Sequence, residues 1–128
     1  MSISSWNKNK WRFKDIHSLG FPYNHIHPHK QKAVKHLVDR LPSWVSHVIV
    51  FGSAVGTWHL RERDLDVCII GENPVFADCS YRADLRMKGI GIDFLEKPSL
   101  ADVLELGASI NSVYRDVVSG GVMVYEKS

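Results

Sequence analysis

Apolar positions recur along this chain with two different periods, and the changes from one period to the other mark out its elements. From Pro28 onward, Ala33, Val34, Leu37, Val38 and Leu41 fall at spacings of one, three and four, which is one stripe of a helix. Pro28 suits its first turn and Pro42 marks its stop. His47 to Phe51 is a run rich in β-branched residues bounded by Gly52, the pattern of a buried strand. Ala54 to Leu60 reads as a short helix interrupted by Gly56, and Asp64 to Ile70 as a second strand ended by Gly71 and Pro74. Between Val75 and Lys88 the pattern is ambiguous: a helix near Ala77 to Arg86 and a strand through Tyr81 to Met87 both satisfy it.

Ile90 to Glu96 predicts a third strand, with Ile92 and Phe94 on one face and Gly91, Asp93 and Leu95 on the other. Ser99 followed by Asp102 resembles a capping box and opens a helix carrying Leu100, Val103 and Leu104. Gly107 breaks or kinks it, a second helical stretch carries Ile110, Val113, Tyr114, Val117 and Val118, and Gly120 and Gly121 end that stretch. Val122 to Tyr125 makes a last short strand. Interleaved strands and helices predict an α/β (α+β) fold, a small mixed sheet backed by helices.

Composition narrows the picture. A chain of 128 residues with 45% hydrophobic content builds one core. We expect that domain to span residues 28–128, preceded by an arm of residues 1–27. The arm carries Lys8, Lys10, Arg12 and Lys14 among Trp6, Trp11 and Phe13. A nucleic-acid contact and a solvated terminus both fit it, and the usual behaviour of termini favours the second. A net charge of +2 announces no polyanionic partner. Cys68 and Cys79 form no CxxC and follow no signal peptide, which suits a reducing cytoplasm. No apolar run reaches the ~20 residues of a membrane span. His25, His27 and His29 alternate before the first helix, but a helix entry breaks the extended geometry a metal would require, and a surface or capping role is the favoured reading.

The candidate chemistry lies in VIVFGSAVGTWHLRERDLDVCII, Val48 to Ile70. Residues two apart on a strand point the same way, so Asp64 and Asp66 share a face, roughly 6 to 7 Å apart at the backbone. Two anions so placed repel unless a hard cation lies between them, and Mg²⁺ favours one or two carboxylates with phosphate and water. Gly52 lets backbone approach a ligand closely, and Ser53 adds a hydroxyl beside the free N–H groups that open the next helix, a ready phosphate cradle. Taken singly, DxD more often marks ion pairs, here with Arg61 and Arg63, and Gly-Ser an ordinary turn; their order in one stretch favours a phosphate cradle beside a cation site.

FGS, ten residues, then DLD resembles the signature of the DNA polymerase beta nucleotidyltransferase superfamily, in particular its minimal nucleotidyltransferase (MNT) branch. GIDFLEK supplies Asp93 at the place of the family's third carboxylate, and SVYRDVVSGGVMVYEK resembles its closing helix, turn and strand, so the likeness spans about Lys30 to Lys127. It implies a nucleotidyltransferase that moves a nucleoside monophosphate, read here as AMP from ATP, to an acceptor hydroxyl. Gly52 and Ser53 would hold the β and γ phosphates, Asp64 and Asp66 would ligate Mg²⁺, and Asp93 would complete a second metal site and orient or deprotonate the acceptor. It also implies a HEPN-type protein partner, since this branch is often the antitoxin of such a pair. The chain departs from the pattern at Arg63, where many members have serine, and at Gly56, one position early. A non-catalytic module of the same fold that neutralises a partner or binds nucleotide is the alternative.

Overall fold

The computed structural model describes residues 26, 28–52, 64–72, 80–109 and 112–127. Its elements are α1 (Pro28–Val38), β1 (Val45–Phe51), β2 (Leu65–Gly71), α2 (Tyr81–Leu85), β3 (Ile92–Lys97), α3 (Leu100–Gly107), α4 (Tyr114–Gly120) and β4 (Val122–Glu126). The four strands form one sheet in the order β3-β2-β1-β4. β1 runs antiparallel to both β2 and β4, while β2 and β3 are parallel, so the sheet is mixed as the alternation of elements implies.

Period-two alternation along the strands divides the core in two. Val48 and Val50 of β1, Leu65, Val67 and Ile69 of β2, and Val122 and Val124 of β4 pack with Ala33, Val34, Leu37 and Val38 of α1 and Leu85 of α2. On the other face, Ile49, Phe51, Cys68, Ile70 and Met123 pack with Leu100 and Val103 of α3 and Val117 and Val118 of α4. The result is three layers, the α/β fold class expected from the sequence. Ile26 is fully buried in the first cluster, so the domain takes in at least this residue of the expected arm. The rest of residues 1–27 lie outside the described residues.

Several boundaries differ from the pattern reading, each for a local reason. β1 begins at Val45 rather than His47, because its pairing with β2 shifts register between those residues and the bulge interrupts the alternation. β3 begins at Ile92 rather than Ile90, because Ile90 turns back to bridge Met87 across Gly89, whose φ is +86°. α1 closes at Val38, three residues short of Leu41, in a turn where the Arg40 N–H bonds the Leu37 carbonyl. Within the ambiguous stretch, residues 81–85 are helical. The expected helix over Ala54 to Leu60 lies outside the described residues. Among the described residues, no helix is long and apolar enough to cross a membrane.

Candidate active site

Strand direction brings the end of β1 and the beginnings of β2 and β3 to one edge of the sheet, and the expected acids meet there. Phe51 pairs with Asp66 across β1 and β2, and Asp66 pairs with Asp93 across β2 and β3. The three therefore form a row across the sheet, with the aspartates about 4.8 Å apart at the backbone, the spacing of neighbouring strands. Asp64 precedes β2 by one residue, is exposed, and stands two residues from Asp66.

Two glycines make room for the carboxylates. A Cβ added to Gly52 would lie 2.4 Å from Oδ2 of Asp66, and one added to Gly91 would lie 2.3 Å from Oδ1 of Asp64. Gly52 also has φ +75°, a conformation that side-chain-bearing residues rarely adopt. Gly91 holds the entry of β2 through its carbonyl, which accepts from the Leu65 N–H at 2.9 Å.

Electrostatics follow from this crowding. Burial raises the Asp66 carboxyl above its ordinary value; the Asp93 and Asp64 charges raise it further, and the Lys30 ammonium on α1 pulls it back. Lys30 is 4% exposed, the one charged residue among the buried side chains described. The site thus gathers anionic charge at a partly desolvated edge, where a cation would be favoured. Among the described residues, no three His, Cys, Asp or Glu donors close into a ready metal cage. The donors are hard oxygens, the ligand type Mg²⁺ takes with water and phosphate completing its shell rather than an all-protein cage.

Beside the row lies a cavity of about 250 Å³ lined by Phe51, Gly52, Asp66, Asp93, Phe94, Leu95, Val113 and Asp116. Asp66, Asp93 and Gly52 thus share one concave surface. Cys68, deeper on the Asp66 face, is buried, and burial pushes its thiol up to about 12 against the opposing Lys97 charge, so it is a packed group rather than a nucleophile. Trp44 packs edge-on against Tyr81 with ring centroids 5.1 Å apart, which assigns it to packing. Ser53, Gly56, Trp58, His59, Arg61, Arg63, Cys79, His25 and His27 lie outside the described residues.

Three contributors escaped the sequence reading. Lys30 precedes Ala33 and Val34 at helical spacing, so a lysine on the apolar stripe of α1 was its signal. Asp116 follows Val113 by three residues on the helix that lines the cavity, a spacing that exposed helices share. Gly91 had no local signal, because its role is set by a neighbour from another strand.

A scan against protein-family models gives no match. No curated protein matches the chain. Over 77% of its length and 74% of the other chain, it is similar to a solved structure of a mutant of the toxin-antitoxin MntA-HpeT, at 19% identity and a TM-score of 0.48. Over 77% of its length and 78% of the other chain, it is similar to a candidate nucleotidyltransferase from Sulfolobus solfataricus, at 15% identity and a TM-score of 0.42.

Proposed function

We propose that this chain is a magnesium-dependent nucleotidyltransferase that moves AMP from ATP to an acceptor hydroxyl carried by a HEPN-type partner. The observation that carries the reading is the row in which Asp66 and Asp93 stand paired across β2 and β3, with Asp64 two residues away and Gly52 set against the Asp66 carboxylate. An edge that concentrates carboxylates beside an open cavity is suited to a hard cation and an anionic substrate together, and poorly suited to either alone.

In this reading Asp64, Asp66 and Asp93 would hold Mg²⁺, which when bound neutralises the triphosphate and the charge that develops during transfer. Gly52, with Ser53 next to it, brings backbone close to the β and γ phosphates. Asp93 accepts the proton of the acceptor hydroxyl, whose oxygen forms a bond to the α-phosphorus while the bond to the leaving pyrophosphate breaks. Phe51 and Leu95 give the cavity beside the aspartates apolar walls.

The test is incubation with ATP labelled at the α-phosphate, Mg²⁺ and a co-expressed HEPN-type partner, with Asp64→Asn as control. Label should enter the partner, depend on Mg²⁺ and fall by at least about a hundredfold in the variant, since a misplaced group at a reacting centre costs on that order. Nucleotide binding without transfer would replace the enzyme with the non-catalytic module, and no nucleotide binding at all would leave only a module that neutralises a partner.

A further inference from the structure

Lys30 sits where a cation is least expected. It belongs to the first turn of α1, which holds no acidic residue, so its ammonium stands at the positive end of the helix dipole, where a cation is disfavoured. It is also buried, on the stripe that carries Ala33 and Val34 into the core. Its stem is packed while its nitrogen still reaches the surface. Among the described residues its ammonium has no ion pair. What it faces follows from topology. α1 turns through a short connection, closed by the Val45 N–H on the Pro42 carbonyl at 3.1 Å, and leads into β1 running the opposite way. A helical rise of about 16 Å against a strand of about 23 Å brings the first turn of α1 towards the end of β1. That end, at Phe51, is the aspartate edge. Lys30 is the one described cation whose charge reaches Asp66, against the charges of Asp93 and Asp64.

A fixed positive charge at such an edge acts with opposite sign on the two ligands proposed for it. It repels a divalent cation that approaches Asp66 alone, and it attracts a triphosphate once that cation has taken over the carboxylate. We infer that Lys30 is a positioning residue acting through Asp66: a built-in counter-ion that weakens the hold of the edge on a bare divalent cation and strengthens its hold on the anionic substrate. The site then takes metal and nucleotide as a pair in preference to metal alone. This inference rests on the nucleotidyl-transfer reading for its substrate half, whereas the competition between Lys30 and a cation for Asp66 does not need it.

Lys30→Met keeps a packed stem and removes the charge, and Lys30→Gln does the same with a polar end. Mn²⁺ alone, followed by electron paramagnetic resonance of the free ion, is titrated into the full chain, and ATP affinity is measured at saturating Mg²⁺. Both variants should bind Mn²⁺ about threefold to tenfold tighter than wild type, the scale of one unit charge acting on a divalent ion at a partly solvated edge. Both should bind ATP weaker by a similar factor. A packing defect alone moves the two affinities in the same direction. Urea denaturation adds a double-mutant cycle: Lys30→Met should cost less stability in an Asp66→Asn background than in wild type, because the attraction it removes is already gone. Mn²⁺ affinity that is unchanged or lower in both variants, or equal costs in the two backgrounds, overturns the inference. Failure of the wild-type protein to bind ATP would end the nucleotidyl-transfer reading, while Mn²⁺ affinity and the stability cycle still decide whether Lys30 is the counter-ion of Asp66. ATP bound alike by wild type and both variants would remove this inference alone.

Discussion

At Gly52 the backbone and a carboxylate compete for one space. The residue combines φ +75° with a Cβ position 2.4 Å from the Asp66 Oδ2, whereas Gly89 combines φ +86° with open surroundings. The pair separates backbone strain from collision. Gly89→Ala should cost about 1 kcal/mol, the price of a left-handed conformation alone, and Gly52→Ala about 2 to 3 kcal/mol because the Asp66 side chain must also move. Urea denaturation of both variants checks the difference, and equal losses would mean that the Asp66 carboxylate yields freely. Asp66 itself links the site to stability. Its carboxyl is raised in the folded state, so its stabilising contribution is complete below the unfolded pKa and is lost as pH rises through the folded one. Asp66→Asn never ionises and should therefore be the more stable protein at about pH 7, converging with wild type near pH 3. Urea midpoints at the two pH values test this, and a variant less stable at neutral pH would contradict it. Alternation alone placed Asp66 and Asp93 on faces that the register confirms as shared. It could not reveal Gly91, whose role is set by Asp64, a chain neighbour distant in sequence.

At the scale of elements, legibility followed local encoding. α3 was legible because Ser99 announces it: its side chain accepts from the Asp102 N–H at 3.2 Å. Ser99→Ala should cost about 1 kcal/mol, read as a lower thermal midpoint, and an unchanged midpoint would show that the cap is dispensable. Gly107 and Gly121 read as breakers, yet each also permits close packing. A Cβ at Gly107 would lie 2.5 Å from Val118 Cγ2, and one at Gly121 would lie 2.5 Å from Ile49 Cγ2. α2 was illegible because five residues are too short to hold a helix by propensity. Partners from β3 fix it instead: Tyr81 and Arg82 both donate to the Glu96 carboxylate, the Arg86 guanidinium donates to the Ile92 carbonyl at 3.1 Å, and the Arg82 and Arg86 guanidiniums lie over the Phe94 ring at 5.5 and 5.2 Å. The ambiguity between helix and strand in that stretch was a matter of tertiary contacts.

For the whole molecule, the layers separate support from chemistry. α1 and α2 cover one face of the sheet, α3 and α4 the other, and the carboxylates occupy an edge that neither layer covers completely. The opposite end of β1 is tied by packing and hydrogen bonds: Ser46 Oγ donates to the Ile70 carbonyl at 3.1 Å, and the Lys127 N–H bonds the Ser46 carbonyl at 2.7 Å. Along the other edge of β2, the parallel register with β3 from Leu65↔Ile92 to Ile70↔Lys97 sets Asp66 beside Asp93. Under the proposed function this edge binds MgATP through its aspartates. Isothermal titration calorimetry of the full chain tests it most directly, with and without Mg²⁺, in wild type and in Asp66→Asn and Asp93→Asn. Mg²⁺-dependent binding of ATP is expected, weakened by at least about tenfold in each variant, about 1.4 kcal/mol. Absence of binding, or ATP affinity indifferent both to Mg²⁺ and to the two substitutions, would contradict it.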